Sequence, residues 1–461
     1  MVRTSHLRRA LAAVPALLAV VMAPAAFASP ADGAASTPPG AGPAGGEEST
    51  YVVVMSDGTS DDAVVSEAER HDAEQTYEEA VEGYTASMTP AEAASLEADP
   101  AVEFVAEDRV VATLEPAEEA TAAAQLVGNQ VRRIGGPSSS TLAGNGAGAV
   151  GVNIAVIDSG VDRAHPDLNV RGGVDCSSGS AAVPGASLTD QLGHGTLVAG
   201  VVAARDNGFG VVGTAPGAPV WSVRVADANG RITISSLVCA VDWVTSTRTD
   251  ADRGNDIALA NISIAGSGKD DGKCGRVSKD PLHAAICGSV RAGVAYVVAA
   301  GNASHDLALD IPASYDQVLA VTAAADTDGS PGGAGPDACP PSTIAMTDDA
   351  AAPFSNFAVS GGDRQHTVAA PGACITSTSP GGAYSAARSG TSFASPVAAG
   401  TLALCLQGGQ CPRGDGVATT TRFRDLVAAY NRDHPDHGFA GDPARPNGNR
   451  YYGDLVAESP F

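Results

Sequence analysis

The sequence predicts an α/β domain built on a doubly wound parallel sheet, preceded by a small α+β domain, and three observations carry that expectation. Short runs of Val, Ile and Ala without polar alternation recur at residues 152–157, 220–225, 257–264, 294–299 and 318–322, which is how strands buried on both faces read. Helical stretches fall between them at 194–204, 232–245 and 282–292, so the order is one of repeated β-α units. Residues 51–113 read differently. An apolar run at 51–55 opens them, two acidic helical stretches follow, and alternating Val, Phe and Val close them at 101–113, the pattern of a small α+β domain.

In chain order, the first nine residues hold three arginines and a histidine, residues 10–23 are apolar, and Ala26-Phe27-Ala28 follows. That sequence of features predicts a secretory signal peptide over 1–28. The apolar run is shorter than the roughly 20 residues of a spanning helix, so export and an extracellular location are expected in place of a membrane anchor. Residues 29–46, rich in Pro, Gly, Ala and Ser, cannot bury enough surface to order themselves and read as a linker. The small domain occupies 47–114. Between Glu47 and Glu115 stand nineteen acidic residues against two arginines, a net charge of −17. Residues 115–130, mostly Glu, Ala and Thr, read as an exposed, cleavable connection. The large domain takes 131–461, with a passive surface insertion expected at 327–352 and a tail from 412 that either docks through Tyr451, Tyr452 and Leu455 or stays loose.

Across its 461 residues the chain carries a formal charge of −25. Nucleic acid and anionic membranes recruit basic surfaces, so neither is expected as a partner, and a soluble monomer is. Eight cysteines behind an export signal read as disulfides. They allow 105 pairings, of which Cys405–Cys411 and Cys274–Cys287 are expected because each pair is close along the chain.

Three motifs converge on one chemistry. Asp158 closes the first apolar strand in VIDSGVDRAHPDL, His194 begins a helix in DQLGHGTLVAG, and Ser392 begins another in SGTSFASPVAAG, where Pro396 falls early enough for its missing N–H to be harmless. Ligands in such domains sit at the carboxyl ends of strands. A serine hydroxyl is a weak nucleophile that needs a base, and the base needs a group to orient it and to stabilise its charge. Attack on an amide then makes an oxyanion, for which the N–H at the start of the Ser392 helix and the side chain of Asn302, at the end of AYVVAAGN, are the expected donors.

These four segments, in the order Asp, His, Asn, Ser, resemble the subtilase family of serine peptidases over roughly 151–406. The order is that of subtilisin, not of chymotrypsin or the α/β-hydrolases. The resemblance implies a subtilisin-like fold and a secreted serine endopeptidase acting on proteins or peptides, with Asp158, His194 and Ser392 as catalytic triad and Asn302 as oxyanion donor. Leu197 stands where many members carry a second histidine, outside the triad. NISIAGSG, residues 261–268, resembles the family strand that pairs with extended substrates. That likeness assigns substrate contacts to Ser263, Ala265 and Gly266, adds Ala299, Ala300 and Gly301 as further pocket residues, and places 229–232 near a second substrate-facing strand. Residues 51–113 resemble the family's inhibitory propeptide. A zymogen that cleaves itself between 113 and 130 is the expectation, with the propeptide as intramolecular inhibitor. A catalytically dead scaffold and an inhibitor module acting in trans are the alternatives.

Other signals weigh less. Gly146, Gly148 and Gly151 have dinucleotide-loop spacing but precede a strand instead of following one. His434 and His437 lie in a polar tail. There is no HExxH and no G-x-S-x-G. No cofactor is expected. Calcium, common in the family, is compatible with the acidic loops, without identifiable ligands.

Overall fold

The computed structural model describes residues 47–114, 116, 124–179, 188–339 and 344–461. The predicted signal peptide, the linker to residue 46 and half of the connection 115–130 lie outside the described residues.

Alternate side chains of each central strand enter two different cores, and this explains why the strands show no polar alternation. Ile154 and Val156 pack with the helices His194–Ala203 and Thr391–Gln407, while Ala155 and Ile157 pack with Ile234–Thr249 and Pro281–Arg291. All four are fully buried. Burying a side chain such as Ile157 contributes about 1.5–3 kcal/mol. Across the sheet the order is Ala350–Ala351, Leu319–Ala325, Ala295–Ala299, Leu259–Ile262, Ile154–Asp158, Val220–Arg224 and Val170–Asp175, with Thr367–Pro371 also on Leu319–Ala325. Every pairing is parallel except that of Ala350–Ala351. The predicted α/β doubly wound architecture is present, with the helices on both faces.

The small domain is an antiparallel sheet in the order Gln75–Tyr77, Gly83–Met88, Ser49–Met55, Val102–Glu107, with helices Asp61–Arg70 and Pro90–Leu96. Here period-two alternation separates two partners. Val53 and Met55 face the domain's own helices, and Val52 and Val54 join the large domain's core beside Leu237 and Ile286.

Pro396 corrects one expectation. It is the sixth residue of its helix, not early enough to be harmless, and its missing N–H leaves the Ser392 carbonyl without its i+4 donor. The Ser263 hydroxyl donates to that carbonyl at 2.7 Å in its place. Cys274–Cys287 and Cys405–Cys411 pair as expected. Cys176–Cys239 ties the segment after Val170–Asp175 to helix Ile234–Thr249, and Cys339–Cys374 ties the insertion to the chain after Thr367–Pro371. The tail docks: it forms helix Gly416–Asp433, bridges Tyr451 to Ala358 and Leu455 to Ala369, and buries Tyr452 and Leu455. No helix among the described residues is long and apolar enough to cross a membrane.

Candidate active site

Asp158 ends a strand, Asn302 lies three residues past the end of strand Ala295–Ala299, and His194 and Ser392 stand at the starts of helices. Asp158 ends strand Ile154–Asp158 with its side chain fully buried, a position that demands compensation. Its Oδ1 accepts the Ser159 N–H at 2.7 Å and faces His194 Nδ1 at 2.8 Å, while Oδ2 is buried without a hydrogen bond. A carboxylate only accepts, so Nδ1 carries the proton and Nε2 presents its lone pair. Burial, the largest influence on His194, pushes its pKa down, but the Asp158 and Asp190 carboxylates outweigh it and the net displacement is upward.

Asp190 orients this pair. It is buried and accepts from Ser159 Oγ (2.8 Å), Leu192 N (3.1 Å), Gly193 N (2.7 Å), and Thr196 N and Oγ1 (2.8 and 2.6 Å), which fixes the turn that launches the His194 helix. Ser159 Oγ in turn accepts the Gly195 N–H at 2.9 Å. Gly195 has to lack a side chain, because a Cβ there would collide with the Gly160 carbonyl. Asp190 opens the quoted DQLGHG segment, so its signal was in the sequence, but its partners come from two separated loops.

Ser392 is the second residue of helix Thr391–Gln407, so its N–H has no partner within the helix. Asn302 is held beside it. Its Oδ1 accepts from Thr391 N at 2.8 Å and Thr391 Oγ1 at 3.0 Å, which turns the Nδ2 group away from Thr391 and toward Gly390. The Ser392 hydroxyl donates to the Ser263 carbonyl at 3.0 Å and not to His194. The His194 ring lies 5.8 Å, centroid to centroid, from that of Phe393, the next residue. Hydrogen bonds between a nucleophile and its base are often long or misaligned until substrate is bound.

The assigned substrate wall is occupied. Val110–Thr113 pairs antiparallel with Arg231–Thr233, Leu114 N–H donates to the Gly230 carbonyl at 2.9 Å, and Ile234 N–H to the Arg109 carbonyl at 3.0 Å. On the other flank, Gly266 lies so close to Val111 that a Cβ would strike its carbonyl oxygen. Ser263 and Gly266 are buried and Ala265 half-buried. Ala299, Ala300 and Gly301 are buried behind them, the Ala300 carbonyl taken by Asn356 Nδ2 at 3.0 Å and the Gly301 N–H by Thr391 Oγ1 at 3.1 Å.

For calcium, the all-oxygen group Asp326, Asp328 and Asp348 has suitable chemistry. Arg133 Nε, however, stands 2.9 Å from Asp326 Oδ2, and burial outweighs that charge and pushes the Asp326 pKa up to about 7. A carboxyl that already faces an arginine and is held toward its neutral form is a poor calcium ligand, so the group does not fit a cation cage. Cys274, His283 and Cys287 also cluster, but both sulfurs are in a disulfide.

The model of the Subtilase family matches residues 149–427, and that of Peptidase inhibitor I9 matches 50–114. An alkaline protease of Alkalihalobacillus alcalophilus is 31% identical over 350 residues, covering 75% of this chain and 74% of the relative. Subtilisin E of Bacillus subtilis (strain 168) is 31% identical over 316 residues, covering 68% and 67%. A solved structure of a cold adapted subtilisin-like serine proteinase covers 67% of this chain and 89% of its own at 25% identity, with a TM-score of 0.47.

Proposed function

The chain belongs to the subtilase family of serine proteases, with an I9 propeptide domain ahead of the protease domain, and from that premise we propose that it is a secreted endopeptidase, made as a precursor that cleaves itself after Leu114. The observation that carries this reading is the docked strand. A segment of the chain's own propeptide pairs by its backbone with Arg231–Thr233, as an extended substrate does, and its last described hydrogen bond is that of Leu114 N–H to the Gly230 carbonyl.

In the proposed reaction the Ser392 hydroxyl leaves the Ser263 carbonyl, passes its proton to His194 Nε2 and attacks the peptide carbonyl carbon. The resulting imidazolium keeps Nδ1–H on Asp158, whose charge stabilises it. Oxygen gaining negative charge accepts from the Ser392 N–H and Asn302 Nδ2. As the C–N bond breaks, His194 returns the proton to the departing amine, leaving an acyl ester on Ser392. Water, deprotonated by His194, then hydrolyses that ester. The docked propeptide blocks the same cleft against other proteins until it is removed.

A fluorophosphonate probe tests this reading. It is expected to modify the processed enzyme once, on the tryptic peptide containing Ser392, with the mature N-terminus lying between residues 114 and 130. Labelling elsewhere, or a secreted chain beginning at Ser29, would contradict it.

A further inference from the structure

Arg388 ends the strand Ala383–Arg388, four residues before Ser392. That strand pairs with Ile375–Ser379, and the hairpin is fastened to the helix that begins at His194: Ser377 Oγ donates to the Leu197 carbonyl at 2.6 Å and Thr378 Oγ1 to the Thr196 carbonyl at 2.7 Å. The docked strand is held elsewhere, by residues 230–234 and Gly266. The two halves of a cleaved chain therefore meet different walls. The acyl half lies along 230–234. The leaving half has to pass His194, because that imidazole protonates the departing amine, and the hairpin that carries Arg388 is fastened to the first turn of the helix that His194 begins.

The guanidinium there has donors to give. Nε is bonded to Ser385 Oγ at 2.9 Å, and Nη2 is buried without a hydrogen-bond partner, out of the five N–H groups an arginine offers. Among the described residues no carboxylate lies within ion-pair reach of it. Its charge nonetheless acts at the site, since it is one of the groups that lower the His194 pKa. A second, independent fact comes from the sequence. The chain that follows the docked strand carries Glu115, Glu118 and Glu119, and its next basic residue is Arg132.

We propose that Arg388 is a specificity-determining residue that binds a carboxylate on the leaving side of the scissile bond, so that the enzyme favours substrates with Glu or Asp in the first positions after the cut, its own connecting segment being the first of them. The proposal rests on the endopeptidase reading above and adds a substrate class to it. Arginine suits the task because its planar fork pairs with carboxylates in two parallel hydrogen bonds. A substrate carboxylate on Arg388 also offsets the positive field felt by His194 as the imidazole takes up its proton.

The experiment uses processed wild-type enzyme with Arg388→Gln, Arg388→Lys and Arg388→Glu variants, and internally quenched peptides identical before the scissile bond but carrying Glu, Gln or Lys after it. Wild type is expected to cleave the Glu peptides with kcat/KM about tenfold above the Gln peptides, the scale of one charge-assisted hydrogen bond. Arg388→Gln brings that ratio to about one, Arg388→Lys keeps part of it, and Arg388→Glu turns the preference toward Lys. General damage to the fold would slow all peptides alike and leave the ratios standing. Should the variants not mature, wild type alone decides: its Glu-to-Gln ratio falls as salt is raised. A wild-type ratio near one, a ratio indifferent to salt, or a ratio unchanged in Arg388→Gln overturns the proposal while leaving the endopeptidase reading intact. Failure of wild type to cleave any peptide overturns both.

Discussion

The Asp158–His194 pair and the docked strand Val110–Leu114 are both parts of the proposed reaction, yet opposite kinds of force hold them. The pair is made of side chains, buried, and locked by the Asp190 and Ser159 hydrogen bonds. The strand is held by backbone hydrogen bonds that any sequence could make. Around it the propeptide adds exposed pairs, Arg276 with Asp57 and Glu103 and Lys279 with Glu97, each worth about 0–1 kcal/mol. Geometry that has to survive every turnover is built into the core. Contacts that have to be exchanged for those of a substrate are built from groups every substrate carries.

That contrast can be broken most severely at the buried end. Asp158→Asn is expected to lower kcat by about four orders of magnitude, because an amide there favours the wrong imidazole tautomer. The same variant sharpens the pH argument. In the proposed reaction His194 acts as a base when neutral, and its pKa is displaced upward, so kcat/KM in wild type is expected to rise through an acid limb above the ordinary imidazole value of about 6.5. Replacing Asp158 removes the main upward influence, and the limb moves to lower pH. A limb unmoved in steady-state pH profiles would separate His194 from Asp158. Asn302→Ala comes next, with kcat expected to fall about 10²–10³-fold while KM changes little; a loss confined to KM would make Asn302 a substrate contact and not an oxyanion donor.

The smallest effect lies at the exchangeable end. Asp242, on helix Ile234–Thr249, accepts the Glu79 and Ala80 N–H groups of the propeptide at 2.9 and 2.8 Å, and burial pushes its pKa up to about 6. A carboxyl whose pKa is higher when docked than when free takes up a proton on docking. Docking is therefore favoured at low pH and weakens as pH rises through about 6. Residues 47–114 added as a separate chain should inhibit the processed enzyme several-fold more tightly at pH 5 than at pH 8, and Asp242→Asn should flatten that dependence. Tighter inhibition at pH 8 would reverse the sign.

Much of this was legible before any coordinates. The five predicted strands fall on Ile154–Asp158, Val220–Arg224, Leu259–Ile262, Ala295–Ala299 and Leu319–Ala325, because strands covered on both faces have nothing but apolar residues to show. Val170–Asp175 stayed hidden behind Gly172 and Gly173, whose value is in letting neighbours approach: Gly172 faces the Trp221 ring and Gly173 the Ser222 carbonyl. Thr367–Pro371 ends in a proline, a residue that argues against a strand when read locally. The motifs located Asp158, His194, Asn302 and Ser392, and the fold gathers them. What the motifs could not express was the partner of the Ser392 hydroxyl, which depends on Ser263, 129 residues away. The bonds Cys176–Cys239 and Cys339–Cys374 were equally out of reach, since they join segments that meet only after the sheet has formed.

The most direct test of the central claim is to express the precursor beside its Ser392→Ala variant and follow both by intact mass and by hydrolysis of a denatured protein. The account predicts that wild type sheds the domain ending at Leu114 and digests the substrate, while Ser392→Ala stays full length and inert. Equal processing of the two, or hydrolysis by the variant, would contradict it.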